Sequence, residues 1–350
     1  MKFAFGAGGT GGHIVPALAL IKQLQAKGHE CIMIGNSLSM EERMAHKAGL
    51  PFFPIKVQKL YRGFKPGNLL FPYYLFGSVL RSGKILSQQK VDGVITTGGF
   101  VAGPVAIAAI RKKLPCFLHE SNSFPGLTTK HLARHLQRLY ISFEDTRRHI
   151  QGSNLKNFGI PILPQIPGEE TDLAKFGLQT AKPTILVTGG SQGSLAINSA
   201  ISSLVSLLLD DDWQILWQTG SRTYQKFSQQ YKGKKGLHIF DFSNELPAMM
   251  RAADLAITRA GALTIAELEA SALPAILIPL PTAAENHQYH NALAQKNKGV
   301  AELINQTDLS PQTLLSVIKT MDRHLMRERL HQLPPNTAAE QIANDILSFF

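Results

Sequence analysis

The chain has 350 residues, 44% of them hydrophobic, and a formal net charge of +11 at pH 7. This length exceeds one ordinary α/β domain and suits two, each with its own core. No stretch reaches the roughly 18 apolar residues of a transmembrane helix, and residues 1–6 lead into a glycine cluster rather than a signal-peptide hydrophobic region. Cys31 and Cys116 lie beside apolar residues, which favours buried free thiols over a disulfide or metal site. We therefore expect a cytoplasmic protein that does not cross a membrane.

The positive charge is concentrated in the first half. Residues 1–160 hold 21 Lys and Arg against 7 Asp and Glu, a balance of +14, whereas residues 161–350 hold 15 against 18, a balance of −3. Such asymmetry favours an anionic partner for the first half, which leaves nucleic acid, an acidic membrane surface and a phosphorylated substrate open. A basic surface that is merely solvated explains the charge equally well.

Strand and helix signals alternate through the first half, which predicts a parallel sheet flanked by helices. The predicted strands are residues 2–7, 30–34, 94–97, 114–118 and 138–141, with helices at 14–26 and 105–111. An apolar, aromatic run at 69–76 contains Pro72, which we expect to interrupt any helix there. The proline-containing residues 157–170 form the predicted linker.

The second half repeats the opening pattern of strand, glycine loop and helix. Its predicted strands are residues 184–188, 214–218, 238–240, 255–258 and 275–278, with a helix at 195–209. We interpret the chain as two similar domains, residues 1–160 and 161–336. The last predicted helix, about 337–350, is placed to pack back on the first domain.

Glycine-rich loops follow three predicted strands. Residues 6–13 contain the GxGxxG pattern between strand and helix, where backbone amides approach an anion closely. The acidic residue expected about 20 positions later in dinucleotide-binding proteins is missing, which argues against NAD. Residues 97–100 and 188–193 are further glycine-rich loops that follow predicted strands. Each loop alone is explained by tight packing, but three together favour phosphate binding. The sequence has no GxxxxGK[ST] loop and no GxSxG elbow with a catalytic triad, which disfavours P-loop hydrolases and α/β-hydrolases.

Two polar segments in the second half are candidate ligand-binding sites. In residues 259–267 a glycine turn precedes a helix whose first amides are suited to a diphosphate, and Glu267 lies about one turn inside, where its carboxylate suits ribose hydroxyls. Taken alone, Glu267 is explained slightly better as a capping residue on a solvated face. Residues 285–291 supply amides and imidazoles suited to sugar hydroxyls, with Gln288 and Asn291 on one helix face. No carboxylate pair lies near His287 and His290, so we expect no metal.

Six motifs occur in one order: GGTGGH at 8–13, TTGGFVAGP at 96–104, HESN at 119–122, GGSQGS at 189–194, RAGALTIAE at 259–267 and HQYHNA at 287–292. This ordered set covers nearly the whole chain and closely resembles the MurG family of bacterial glycosyltransferases. Members transfer N-acetylglucosamine from UDP-N-acetylglucosamine to undecaprenyl-diphosphate-linked muramyl-pentapeptide in peptidoglycan biosynthesis. The resemblance implies a GT-B fold, in which two Rossmann-like α/β domains face each other across a cleft. It also implies inversion at the anomeric carbon and no obligatory metal or cofactor.

The resemblance also assigns residues to each substrate. It implies acceptor binding by the first domain, at Gly8, Gly9, Thr10, Gly11, Gly12, Gly98 and Gly99. His13 becomes the expected catalytic base, with Glu120 in reserve. It implies donor binding by the second domain together with Asn122, at Ser191, Gln192, Ser243, Ala262, Leu263, Thr264, Glu267, Gln288 and Asn291. In this assignment Glu267 binds the ribose, Gln288 and Asn291 bind the sugar, and uracil meets the backbone near Ser243.

The sequence departs from the family pattern at three positions. Leu163 stands where the family usually carries an Arg, which removes a cation expected near the donor. HESN replaces HEQN, and Phe100 stands where Tyr is common, which removes a phenolic hydrogen bond. Three alternatives remain: a related GT-B transferase acting on another lipid such as diacylglycerol, a UDP-sugar epimerase of similar fold, and a non-catalytic nucleotide-sugar-binding or membrane-docking protein.

The region between Glu42 and Asp92 predicts contact with a membrane. It has no acidic residue, holds seven Lys and Arg, and surrounds the apolar run at 69–76 with them. Aromatic side chains ringed by basic ones suit an anionic bilayer surface. We therefore expect peripheral docking at the cytoplasmic face of the inner membrane, the alternative being that this run is partly core. No recognition motif supports nucleic acid.

Overall fold

The computed structural model describes residues 1–58, 69–150, 154–163, 172–190, 192–243, 245–283 and 286–350. The chain divides into two compact units. Unit 1 comprises Met1–Pro164 and Asn336–Phe350, and unit 2 comprises Gln165–Pro335. None of the helices that the structure describes is both long and apolar enough to span a membrane.

Unit 1 is built on a parallel sheet of seven strands. They are β1 (Lys2–Gly6), β2 (Glu30–Asn36), β3 (Phe52–Ile55), β4 (Gly93–Thr96), β5 (Cys116–Glu120), β6 (Arg138–Ile141) and β7 (Leu155–Asn157). Their order is β3-β2-β1-β4-β5-β6-β7. The helices before residue 160 are α1 (Gly11–Ala26), α2 (Met40–Lys47), α3 (Phe71–Gln88), α4 (Gly99–Arg111) and α5 (Leu127–Leu132). Phe3 and Phe5 enter one core cluster and Ala4 the other, so β1 is buried on both faces, as parallel sheets covered by helices require.

Unit 2 has a second parallel sheet, with the order β10-β9-β8-β11-β12-β13. Its strands are β8 (Thr184–Thr188), β9 (Gln214–Gln218), β10 (Leu237–Phe240), β11 (Leu255–Thr258), β12 (Ala275–Leu277) and β13 (Ala301–Leu303). Its helices are α6 (Leu195–Ser202), α7 (Val205–Asp210), α8 (Ser221–Gln230), α9 (Leu246–Ala252), α10 (Ala262–Ala270), α11 (His287–Asn297), α12 (Pro311–Thr320) and α13 (Arg323–His331). Both sheets reverse their strand order at the first strand of the unit, which confirms the predicted α/β class with two Rossmann-like domains.

The last helix, α14 (Ala338–Leu347), packs against α1 of unit 1. Its buried Asp345 accepts hydrogen bonds from Arg138 Nε at 2.9 Å and Tyr140 Oη at 2.8 Å, and it also pairs with Lys156. Burial alone would raise the pKa of Asp345, but the bonds from Lys156 and Tyr140 and the charge of Arg138 outweigh burial and lower it. Asp345 therefore fastens α14 to β6 and β7.

Several local predictions need correction. The helix predicted at 195–209 is two helices, because Leu204 N bonds to Ile201 O at 2.8 Å and ends the first of them early. Pro72 does not interrupt a helix: it occupies the first turn of α3, where a missing N–H costs nothing. Cys31 and Cys116 are buried free thiols, as predicted, and burial raises the pKa of each to about 12.

Candidate active site

The first glycine loop, residues 7–10, joins β1 to α1 and contacts the turn between β4 and α4. A Cβ atom added to Gly99 would lie 1.9 Å from Gly8 O, and Gly98 and Gly99 have φ values of +99° and +76°. These two glycines are thus required by close backbone approach and by left-handed conformation. Phe100 packs over Gly9, where an added Cβ would lie 3.0 Å from its ring.

His13 lies in the first turn of α1 and is fixed by Thr97. Its Nδ1 lies 3.0 Å from Thr97 O, and Thr97 Oγ1 donates to His13 O at 2.7 Å. A carbonyl oxygen only accepts, so Nδ1 carries the proton and Nε2 keeps its lone pair. Burial lowers the pKa of His13, although the Glu120 carboxylate and the bond to Thr97 pull it upward. The ring is therefore neutral at pH 7 and competent to accept a proton.

Glu120 holds its own loop together. Its Oε1 accepts from Asn122 N and Asn122 Nδ2, both at 3.0 Å, and its Oε2 accepts from Gly126 N at 3.0 Å and Thr129 Oγ1 at 2.6 Å. Four donors leave this buried carboxylate little capacity to take a proton from a substrate. This geometry favours His13 over Glu120 as a base, and it ties Asn122 directly to Glu120.

The beginning of α1 combines free and occupied amides. Thr10 caps the helix without a side-chain hydrogen bond. The first-turn N–H groups of Gly11 and Gly12 therefore have no acceptor among the described residues. The Gly9 amide is different, because it donates to Glu41 Oε2 at 3.4 Å. Of the predicted acceptor glycines, Gly9 is therefore already engaged by the protein.

In unit 2, the loop after β8 is also shaped by close packing. A Cβ atom on Gly193 would lie 2.0 Å from Thr219 O, and Gly190 N donates to Thr188 Oγ1 at 3.1 Å. Gln192 is exposed in this loop, whereas Ser191, the other predicted phosphate contact, lies outside the described residues. The loop ends at Ser194, whose Oγ accepts from Ile197 N and caps α6.

Arg259 joins four segments at the same end of the unit 2 sheet. Its Nη2 donates to Ser194 Oγ at 2.7 Å and Gln306 Oε1 at 2.6 Å, and its Nη1 donates to the carbonyls of Ile278 and Pro279, both at 3.0 Å. No carboxylate of the described residues lies within salt-bridge distance of it. Burial lowers the pKa of Arg259, but a guanidinium stays charged near pH 7. This site thus holds an uncompensated positive charge.

Helix α10 begins beside Arg259 with uncapped amides. Gly261 is its cap and has no side chain to bond the amides of Ala262, Leu263 and Thr264. Glu267, one turn further, is half-buried, and burial raises its pKa to about 8. The residues that the structure describes give its carboxyl group no hydrogen-bond donor, so it is free to bind hydroxyl groups of a ligand.

Three further predicted donor residues have partners within unit 2. Gln288 Oε1 accepts from Leu280 N at 3.0 Å, which leaves its Nε2 to donate. Buried Asn291 donates Nδ2 to Ala260 O at 3.2 Å, so it connects α11 to the turn before α10. Ser243 Oγ accepts from Glu245 N at 3.0 Å, next to exposed Phe242.

Sequence reasoning missed Glu41, the link between Thr97 and His13, and the four bonds of Arg259. It also left the effect of Leu163 open. That side chain packs against the core cluster of unit 1 that contains Phe3 and Tyr140.

The HESN histidine is structural: His119 Nε2 lies 3.1 Å from Gly159 O, and burial lowers its pKa to about 4. Across the described ranges, no group of three His, Cys, Asp or Glu is placed to hold a metal ion.

Comparison with known proteins identifies both units. Residues 3–141 match the glycosyltransferase family 28 N-terminal domain, and residues 184–346 match the C-terminal domain of that family. A relative from Bacillus subtilis (strain 168) is 34% identical over 94% of this chain and 92% of its own length. A relative from Halothermothrix orenii is 37% identical over 92% and 90%. Both are named UDP-N-acetylglucosamine–N-acetylmuramyl-(pentapeptide) pyrophosphoryl-undecaprenol N-acetylglucosamine transferase.

Two solved structures are similar to this chain over nearly its whole length. The crystal structure of MurG from Acinetobacter baumannii superimposes with a TM-score of 0.72 at 26% identity, covering 99% of both chains. The calicheamicin glycosyltransferase CalG4 gives a TM-score of 0.71 at 12% identity over 99% of this chain and 98% of its own, which supports the fold alone. The chain therefore belongs to glycosyltransferase family 28 and, within it, to the MurG family.

Proposed function

We propose that this enzyme transfers N-acetylglucosamine from UDP-N-acetylglucosamine to undecaprenyl-diphosphate-linked N-acetylmuramyl-pentapeptide, with inversion at the anomeric carbon. The observation that carries the proposal is the match to relatives named for this reaction, at 34% and 37% identity over more than nine-tenths of the chain. The reaction is a step of peptidoglycan biosynthesis. The arrangement of His13 and of the α10 turn supplies the chemistry it needs.

In this proposal unit 2 binds the donor. The free amides of Ala262, Leu263 and Thr264, at the positive end of the α10 dipole, bind the diphosphate together with Ser191 and Gln192. Arg259 contributes positive charge and fixes Ser194. These groups stabilise the UDP leaving group as negative charge develops on it.

The remaining donor contacts follow from hydrogen-bonding capacity. Glu267 has two oxygens without donors and binds the ribose hydroxyls. Gln288 Nε2 and Asn291 Oδ1 bind hydroxyls of the transferred sugar, with Asn122 as a further contact. The backbone at Ser243 meets the uracil. Each contact uses an atom for which the described residues supply no partner, apart from Asn122, whose amide is engaged by Glu120.

Unit 1 binds the acceptor and removes its proton. The amides of Gly11 and Gly12 are suited to the acceptor diphosphate, next to Gly8, Thr10, Gly98 and Gly99. His13 Nε2 takes the proton of the attacking hydroxyl while that oxygen forms a bond to the anomeric carbon and the bond to UDP breaks. The imidazolium that forms is stabilised by the nearby Glu120 carboxylate.

A transfer assay tests the proposal. Purified protein is incubated with labelled UDP-N-acetylglucosamine and a soluble lipid-linked muramyl-pentapeptide analogue, and the disaccharide product is measured. We expect product with this acceptor and none with diacylglycerol. Transfer to diacylglycerol alone would favour the related lipid transferase, and conversion of the donor to another UDP-sugar would favour an epimerase. Donor binding without turnover would favour a non-catalytic protein.

We further propose that unit 1 docks on the anionic cytoplasmic surface of the cell membrane. Four large side chains at or near α3, spaced four, three and four residues apart, form one exposed apolar stripe: Leu69, Tyr73, Phe76 and Leu80, at 83%, 75%, 58% and 56% exposure. Exposed Arg81 and Lys84 follow on the same helix. Lys59, Arg62 and Lys65, also predicted to take part, lie outside the described residues. Each basic residue near the surface adds about 1 kcal/mol.

Liposome co-sedimentation tests this docking. Binding should rise with the anionic lipid fraction, fall in high salt, and drop in a Tyr73→Ser, Phe76→Ser, Leu80→Ser variant. Phe71 is half-buried, so it is left unchanged. A matched control replaces Leu195 and Leu207, exposed at 61% and 51% in unit 2, with Ser. Equal binding to neutral and anionic vesicles, or equal loss in the control, would contradict the model without affecting the transferase assignment.

A further inference from the structure

A buried carboxylate lies directly against the first glycine loop. Glu41, in the first turn of α2, is only 1% exposed. Its Oε2 accepts from Gly9 N at 3.4 Å, and its Oε1 accepts from Asn36 N at 3.2 Å. No Lys, Arg or His in the described ranges lies within salt-bridge distance of it. Its partners are therefore two backbone amides, one from the glycine loop and one from the end of β2.

The surrounding chain is built to admit this side chain. A Cβ on Gly8 would lie 2.8 Å from Glu41 Oε1, and a Cβ on Gly35 would lie 2.6 Å from Glu41 Cγ. Neither glycine has the positive φ that would explain it by backbone conformation. Space for the Glu41 carboxylate is thus one reason for glycine at both positions. A surface helix cap would need no such space.

We propose that Glu41 is a positioning residue for binding the acceptor diphosphate, an inference that rests on the proposed function. By accepting the Gly9 amide, Glu41 directs that N–H toward the protein interior and fixes the loop. The first-turn amides of Gly11 and Gly12 are then held ready for the phosphates. Glu41 itself does not touch the substrate.

Charge alone would give the opposite effect. A carboxylate near a bound diphosphate repels it, so a Glu41 that acted only through charge would weaken acceptor binding. Neutralising it would then improve binding. The positioning role predicts weaker binding instead, because glutamine offers one acceptor oxygen to two backbone amides and turns its own NH2 group toward one of them. The sign of the change separates the two roles.

The test compares Glu41→Gln with the matched control Glu42→Gln on the same helix turn. Glu42 accepts from Leu38 N on the exposed side, away from the glycine loop. We expect Glu41→Gln to raise the acceptor KM about ten-fold, the loss typical of one hydrogen bond to a charged group. The donor KM should not change, because the proposal places the donor on unit 2. Hydrogen exchange in a peptide spanning residues 6–12 should quicken in Glu41→Gln and not in Glu42→Gln.

Gly35→Ala provides a second variant that displaces Glu41 without changing its charge. It should raise the acceptor KM in the same direction. An unchanged or lower acceptor KM in Glu41→Gln, or equal rises in both KM values, would overturn the positioning role. If the wild-type protein transfers no sugar to the muramyl acceptor, the proposed function fails instead. The hydrogen-exchange result still reports whether Glu41 holds the loop in that case.

Discussion

Unit 1 and unit 2 both open with a strand, a glycine loop and a helix, yet the charged groups near the two loops differ in sign. The buried carboxylate of Glu41 lies beside the first loop, and that of Glu120 lies near His13 in the helix that follows; each is bound by amides or hydroxyls of its own surroundings. Beside the loop of unit 2 lies the guanidinium of Arg259, with no carboxylate partner among the described residues. Glu267 does not neutralise it at pH 7, because burial raises its pKa to about 8.

This difference fits the proposed displacement reaction, in which unit 1 accepts a proton and unit 2 stabilises the leaving diphosphate. In the proposed mechanism His13 accepts a proton, and a nearby anion stabilises the imidazolium that forms. A leaving diphosphate gains negative charge, which a fixed cation and helix amides stabilise. The net charge of the sequence hides this arrangement, since residues 1–160 carry +14 while their buried site groups are acidic. In this proposal similar folds serve opposite electrostatic tasks through a few buried or half-buried residues.

The largest expected effect comes from the base. His13→Ala should lower kcat by ~10²–10⁴, the range for lost general-base catalysis, while donor affinity stays unchanged. Steady-state assays at saturating donor and acceptor measure this. His324→Ala, an exposed histidine of α13, is the matched control. A fall in donor affinity with kcat preserved would move His13 out of the catalytic role.

Removing the ribose contact should have the next largest effect. Glu267→Ala should weaken donor binding by roughly 1.5–3 kcal/mol, and Gln288→Ala, a neutral partner, by roughly 0.5–1.5 kcal/mol. The acceptor KM should not change in either variant. Calorimetric titration with UDP-N-acetylglucosamine gives both values, and wild-type affinity in both variants would remove these residues from the donor site.

Arg259→Lys tests whether the hydrogen bonds of Arg259 matter in addition to its charge. Lysine keeps the positive charge but cannot bridge Ser194, Gln306 and two carbonyls at once. We expect donor affinity to fall by about 1 kcal/mol and the melting temperature of the protein to decrease. Arg222→Lys, an exposed change on α8, should alter neither. Unchanged affinity with a lower melting temperature would restrict Arg259 to a structural role.

The smallest expected effect is a shift in the pH dependence of the enzyme's activity. Burial lowers the pKa of His13 in the folded protein, so the neutral, active ring persists below the ordinary histidine value of about 6.5. The acid limb of kcat/KM for the acceptor, measured at saturating donor so that Glu267 is already occupied, should therefore have its midpoint below that value, with activity lost as pH falls through it. Rate measurements from pH 5 to pH 8 locate it (a span of about three units around the histidine range). A midpoint above 7 would contradict a buried neutral base.

Sequence patterns predicted the central strands because such strands are continuous apolar runs buried on both faces. The missed strands β3, β7 and β13 are all edge strands of three or four residues. Short edge strands bury less and carry weaker apolar signals, and Pro54 within β3 is typical of an edge rather than a centre. Pro72 was misjudged because a proline breaks a helix interior but suits its first turn.

Motif reasoning selected His13, Glu267 and the glycine loops as candidates because their spacing is local. It could not find Glu41 or the bonds of Arg259, because these depend on contacts between segments 32, 47 or 65 residues apart. Leu163 illustrates the same limit. Its sequence position suggested a lost donor cation, and only the fold shows that it packs, partly buried, against the core of unit 1.

Proton release during donor binding tests most directly whether Glu267 binds the ribose while His13 acts as the base. Free Glu267 has a pKa of about 8, so it is mostly protonated at pH 7, and ribose hydroxyls that donate to its carboxylate should lower that pKa. Calorimetric titration with UDP-N-acetylglucosamine in two buffers of different ionisation enthalpy measures the proton released. We expect release by the wild type and by His13→Ala, and none by Glu267→Gln. Absence of release from the wild type, or its loss in His13→Ala, would contradict the account.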